Sequence, residues 1–195
     1  SMVSSHSVAL GGLTCNALYH YQISATGQSG STSSTTDATF VTGPCGGSFP
    51  LSDNFDAPAL NTNVWTFINP LGDALLSFNG SSAMLTVPHG TAHDAWTSGN
   101  QSARVMQVVP NGDFEVDVRF QSAVMFGFQK EGILVQQDSN NFLRFDIEHD
   151  GTSPVLFAAS VRGGTATTFL NSRISSSGPP FWLHLKRAGD TWTES

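Results

Sequence analysis

In the stretch FLRFDIEHD, residues 142–150, Arg144, Asp146 and Glu148 alternate with Leu143, Phe145 and Ile147. A strand has a side-chain period of two, so the arginine and the two carboxylates share one side and the apolar residues the other. Several chemistries fit such a row. Paired carboxylates can flank a glycosidic bond, planar charged groups can hold sugar hydroxyls, and carboxylates can ligate calcium. The plain alternative is a solvated, ion-paired face, which contributes little to stability.

Other rows have the same form. Glu115, Asp117 and Arg119 oppose Phe114, Val116, Val118 and Phe120, while Trp182, His184 and Lys186 share a side of the segment 181–187. Gln136 adds a planar amide on the strand before Arg144. If these rows lie on one face, Arg119, Gln136, Arg144, Asp146, Glu148, Trp182 and His184 make a sugar-recognition surface with an aromatic ring for stacking. Glycoside hydrolysis would instead draw on Glu115, Asp117, Asp146 and Glu148. It needs two carboxyl groups ~5–5.5 Å apart for retention or ~6.5–9.5 Å for inversion. Trp96, in the loop-like HGTAHDAWTSGNQSAR (89–104), is a further stacking candidate. His93-Asp94 in that loop lacks a third ligand at metal spacing. Asp53 and Asp56, in SDNFD, are candidate ligands of a structural calcium, or caps of a turn. No Gly-x-Ser-x-Gly elbow is present.

The elements that must position these residues are strands. Val, Phe and Ile dominate segments separated by Pro-Asn-Gly, Asp-Ser-Asn-Asn and His-Asp-Gly, and no stretch of twelve residues carries a helical stripe. The pattern predicts an all-β sandwich of jelly-roll type. Strands are expected near 75–79, 84–87, 104–109, 114–121, 131–137, 142–148, 155–162, 166–170, 181–187 and 191–194, and, in an amino-terminal part of different texture, at 7–10, 18–26 and 38–42. The segment TGPCGGSFPLSD (42–53) reads as a linker. Three parts follow: 1–45, a linker at 46–52, and 53–195.

Of the 195 residues, 39% are apolar, enough for a sizeable core, and only 12% are charged. The net charge is −7 and Lys130 and Lys186 are the only lysines, so no basic patch suits nucleic acid. No apolar stretch is long enough to span a membrane as a helix. Ser1-Met2 reads as a cloning remnant, so a missing leader says nothing of secretion. The two cysteines, Cys15 and Cys45, are by count equally compatible with a disulfide and with free thiols.

Two resemblances add to this reading. Leu13 and Tyr19, six apart, with the alternating Tyr21, Ile23 and Ala25 and the closing Phe40-Val41-Thr42, resemble the last three strands of a fibronectin type III module. Tyr19 matches the tyrosine-corner position. The earlier strands of such a module are missing, so the piece must lean on something else to bury its core face. The resemblance also brings Cys15 and Cys45 to one pole and so implies a disulfide, which would contribute roughly 3–4 kcal/mol on a chain-entropy estimate.

The second part is similar to the concanavalin A-like lectin/glucanase superfamily, and to the domain appended to bacterial β-xylosidases and other wall-acting enzymes. The resemblance is carried by DNFDAPALNTNVWTF (53–67), GDFEVDVRF (112–120), EGILVQQDSNNFLRFDI (131–147) and FWLHLKRAGDTWT (181–193). It implies a secreted or cell-surface protein, a cell-wall polysaccharide as partner, a tethered catalytic domain, and no required cofactor beyond a structural calcium. Laminarinase-type members carry Glu-x-Asp-x-x-Glu. Here Glu115 and Asp117 match, but Phe120 stands at the third position, which favours a non-catalytic carbohydrate-binding module over a hydrolase. Members usually continue into further strands where this chain stops, at Ser195. A purely structural spacer is the third reading.

Overall fold

The computed structural model describes residues 10, 13–14, 17–27, 29–42, 50–175 and 178–195. Every regular element among them is a strand, and among these described residues no helix is long and apolar enough to cross a membrane. The chain divides into two compact units, Ser1–Ser48 and Phe49–Ser195, with the division inside the expected linker. Cys15, Cys45, most of the strand expected at 7–10 and most of the linker lie outside the described residues.

The first unit holds β1 (Leu18–Tyr21), β2 (Ser24–Thr26), β3 (Thr32–Ser34) and β4 (Ala38–Val41). β1 pairs with β4 and β2 with β3, which together form one bent antiparallel hairpin. The single strand expected over 18–26 is interrupted at Gln22-Ile23. There the Ile23 N–H donates to the Thr35 hydroxyl (3.1 Å) and the Thr35 N–H to the Ile23 carbonyl (2.9 Å). β3 has no apolar alternation and escaped the sequence reading. It is held by cross-strand hydroxyl pairs, Ser24–Ser34 at 2.7 Å and Thr26–Thr32 at 3.1 Å. Tyr19 stacks on Phe40 at 5.6 Å, and its hydroxyl accepts the Thr14 N–H at 2.7 Å.

The second unit contains β5 (Thr66–Ile68), β6 (Leu75–Phe78), β7 (Ala83–Thr86), β8 (Ala95–Trp96), β9 (Gly99–Asn100), β10 (Arg104–Met106), β11 (Phe114–Phe120), β12 (Lys130–Asp138), β13 (Asn141–His149), β14 (Pro154–Arg162), β15 (Thr165–Arg173), β16 (Phe181–Ala188) and β17 (Thr191–Glu194). A four-stranded antiparallel sheet runs β12-β13-β14-β15, and a three-stranded one runs β11-β16-β17. β5-β10, β6-β7 and β8-β9 are two-stranded pairs.

The two larger sheets meet through their apolar sides. Ile133, Val135, Leu143, Phe145, Ala158 and Leu170 from one pack on Phe114, Val116, Leu185 and Trp192 from the other. Trp192 stacks on Phe145 and meets Phe114 edge-on, both at 5.7 Å. Leu183 and Leu185 are fully buried, each contributing about 1.5–3 kcal/mol on burial.

The four-stranded sheet is covered on its other side as well. Ala95 packs on Phe142 and Val161, and Trp96 on Val155, Phe157 and Ala159. β8 and β9 form a small hairpin within the segment expected to be a loop, turning at Thr97-Ser98 with Gly99 at φ 95°. This hairpin changes the meaning of the charged row beneath it.

Candidate functional site

β13 carries Arg144, Asp146 and Glu148 on the side opposite Phe145, and therefore towards the hairpin. Arg144 is 3% exposed and Asp146 4%. The guanidinium grips Asp146 with two bonds, Nε to Oδ2 at 2.7 Å and Nη2 to Oδ1 at 2.8 Å. Nη2 also donates to Glu148, and Nη1 to the Ala95 carbonyl at 3.3 Å. The guanidinium carbon lies 4.6 Å from the Phe157 ring centre and 5.5 Å from that of Trp96. Lys130 extends the network, 3.5 Å from Glu148 and 3.6 Å from Asp94.

Burial pushes Arg144 down, but the bonds and charges of Asp146 and Glu148 outweigh it and raise the guanidinium above its ordinary value. Burial raises Asp146 above the usual carboxylate range, and Arg144 opposes that rise. The expectation that this row faces a ligand or solvent is therefore corrected. Arg144 and Asp146 are interior and saturated by partners, and Glu148 is shared by Arg144 and Lys130. Trp96 is not a free platform either, because its ring is tilted onto Phe157 at 6.0 Å and over Arg144. Gln136 accepts a hydrogen bond from the Asn100 side chain at 3.2 Å, under the foot of the hairpin. The row is a clasp that holds the segment 94–100 on the sheet.

The other rows lie on the outer side of the three-stranded sheet, across the two-sheet core from the clasp. Pairing of β11 with β16 aligns Glu115 with Lys186, Asp117 with His184 and Arg119 with Trp182. His184 Nδ1 is 2.9 Å from Asp117 Oδ1 and its Nε2 is 3.4 Å from Glu115, which also pairs with Lys186 at 3.2 Å. Trp182 is 64% exposed, with the Arg119 guanidinium 6.0 Å from its ring centre. The condition of a common face is thus not met, and the rows lie on two faces. Glu115 and Asp117 cannot act across one bond with Asp146 and Glu148, since the core separates the pairs.

Asp53 and Asp56 serve a turn. Asp53 accepts the Phe55 N–H at 2.8 Å and the Trp65 indole N–H at 2.9 Å, and Asp56 accepts from the Asn54 side chain at 2.8 Å. Among the described residues no group of three or more His, Cys, Asp or Glu is arranged to hold a metal. His93 bonds Asp73 at 2.7 Å.

Two carboxyls that the sequence reading passed over are strained. Glu131 accepts from the Ser122 hydroxyl, but its other oxygen is buried without a hydrogen-bond partner among the described residues, and burial raises the group. Glu194 has both oxygens buried and without a hydrogen-bond partner among the described residues. Burial first, and the Asp146 charge second, push it up to about 8. In the unfolded chain it titrates near 4.5, so the folded state holds its proton more tightly. The resulting stability is fully present below pH 4.5 and is lost as pH rises towards 8. Because the residue is partly exposed, we expect a loss of only about 1–2 kcal/mol after solvent screening. Urea midpoints at pH 5 and pH 8.5 should show it, and Glu194→Gln should flatten the difference. A wild-type profile already flat would contradict this assignment.

No family model, curated protein or solved structure matches this chain.

Proposed function

We propose that the 49–195 unit is a non-catalytic carbohydrate-binding module whose contact surface is the outer side of the three-stranded sheet. The observation that carries this reading is Trp182, an indole 64% exposed on a strand that also carries His184 on the same side and that pairs in register with Arg119 and Asp117 of β11. An open ring can stack on the apolar side of a pyranose, and planar polar groups beside it can bond the hydroxyls. A solvated face has no use for an exposed indole, one of the largest apolar side chains. Separation of the carboxylate rows by the core, and Phe120 at the third position of the hydrolase motif, count against turnover.

The resemblance to domains of secreted wall-acting enzymes supports a cell-wall polysaccharide as ligand and a tethered catalytic domain as neighbour. The Thr14–Tyr19 hydrogen bond supports the fibronectin-like reading of the first unit, since a tyrosine corner makes that contact. Affinity should be modest, because one stacked ring and solvent-competing hydrogen bonds leave little surplus after ordering costs. Affinity electrophoresis through gels containing β-glucan, xylan, galactan or mannan tests the reading. Retardation by at least one polymer, abolished in Trp182→Ala, is the expected result. Free migration in all four would overturn it.

A further inference from the structure

The connection from β11 to β12 exposes three large apolar side chains on one tight turn. Met125 is 67% exposed, Phe126 73% and Phe128 77%. A floppy loop would let such groups fold back against the body, but this one is pinned. Gln129 Oε1 accepts the Met125 N–H at 2.8 Å and the Phe126 N–H at 3.3 Å, and the Gln129 N–H closes the turn on the Phe126 carbonyl at 2.9 Å. The Phe128 N–H donates to the His149 carbonyl at 2.8 Å, and the His149 N–H donates back to Gln129 at 3.0 Å. A Cβ on Gly127 would lie 3.5 Å from Gly151 Cα, so the turn rests directly on the β13–β14 turn. Phe128 sits at φ 66°, a left-handed conformation that a bulky residue adopts only under constraint. Backbone strain of this kind collects at functional sites. The turn therefore holds its rings outward at a cost in stability.

Its position is as telling. The loop leaves β11 one residue after Arg119, the partner of Trp182. Its root, Val124, is buried against Phe120, Phe181 and Ile147, so it is packed under the Trp182 end of the outer face. The adjoining turn brings His149 and Asp150, the latter paired with Arg173 at 3.3 Å. The rim is thus polar, planar and locally neutralised. A spike meant for an anionic membrane would carry cations. Here the chain has a net charge of −7, and the nearby cations are matched: Arg173, at the end of β15, by Asp150, and Lys130, just after the turn, by Asp94 and Glu148.

We infer that the Met125–Phe128 turn is a second stacking platform for the same ligand, which makes the ligand an extended polysaccharide chain running from Trp182 to this turn. The inference rests on the carbohydrate-binding reading. Rings fixed in advance lose little freedom on binding, which favours a weak, multi-point contact along a polymer.

The test compares wild type, Trp182→Ala, the double variant Phe126→Ser/Phe128→Ser and the ring-preserving Phe126→Tyr/Phe128→Tyr in the four polysaccharide gels, with thermal melts as a fold control. The serine variant should bind about tenfold more weakly, equivalent to about 1.4 kcal/mol, and the tyrosine variant should bind as wild type does. Retardation that survives in the serine variant but fails in Trp182→Ala would overturn the platform and leave the carbohydrate reading standing. Loss in the serine variant alone supports the platform and displaces Trp182. Free migration of the wild type overturns both. Cosedimentation of wild type, but not the serine variant, with phosphatidylcholine vesicles containing phosphatidylserine would also overturn it, in favour of a membrane.

Discussion

Replacing Arg144 with Met is expected to cost about 3–5 kcal/mol, the usual penalty for removing one partner of a buried ion pair. Met replaces the aliphatic stem but ends short of the guanidinium, so the contacts of that group with the Trp96 and Phe157 rings are lost as well. What it removes is the group that grips both Asp146 oxygens, at 2.7 and 2.8 Å, and among the described residues it leaves Glu148 paired with Lys130. Asp146, 4% exposed, would have to be buried uncompensated or take up a proton. The Ala95 carbonyl would also lose its donor, so the hairpin should become a site of rapid proteolysis. Chemical denaturation measures the first effect and limited proteolysis within 88–102 the second. The triple replacement Arg144→Met/Asp146→Leu/Glu148→Met should recover most of the loss, since apolar groups of similar volume often match a buried ion network. A single variant within 1 kcal/mol of wild type would show that the clasp contributes nothing.

The same row shows where sequence reasoning stopped. Alternation along 142–149 correctly placed Phe145 and Ile147 in the core between the sheets. It could not say what lies over the opposite side, because a covering hairpin is a tertiary fact. A signal was nonetheless present on the next strand. Val155, Leu156, Phe157, Ala158 and Ala159 form an unbroken apolar run, and such runs mark strands buried on both faces. Read that way, β14 requires its neighbour β13 to be covered too, and Arg144 and Asp146 become interior charges that need each other.

The outer face of the three-stranded sheet was legible as rows but not as a surface. β11 and β16 are far apart in sequence, and only their pairing turns Glu115, Asp117 and Arg119 into partners of Lys186, His184 and Trp182. The all-β class followed from turn chemistry and period alone. β3 and the β8–β9 hairpin were missed for opposite reasons. The first is held by hydroxyls with no apolar pattern, and the second is too short to show any period.

The second large effect falls on a residue with no side chain. In β12, Gly132 pairs with Asp146 of the clasp strand. A Cβ built there runs into the Phe145 carbonyl and into Asp146 Cα and Cβ. Ordinary antiparallel partners keep their Cβ atoms about 4.5–5.5 Å apart, so this approach is open only to glycine. Two of the three obstacles are main-chain atoms of a strand buried on both sides, and they cannot turn away as a flexible side chain would. Gly132→Ala must push β12 off β13 at the point where Lys130 reaches Glu148 and Ile133 enters the core. We expect a loss of about 3 kcal/mol, the upper end for overpacked sites, and a weakened grip of Arg144 on Asp146. Gly112→Ala is the control. Nothing lies within 4 Å of its added methyl and its φ is not positive. It should be neutral or stabilise by about 0.4–1 kcal/mol by restricting the unfolded chain. Urea midpoints of the two variants against wild type decide the matter. Equal midpoints for Gly132→Ala and Gly112→Ala would mean that β12 can move away from β13 without cost, and that the close approach at Gly132 is not what sets the register beneath the clasp.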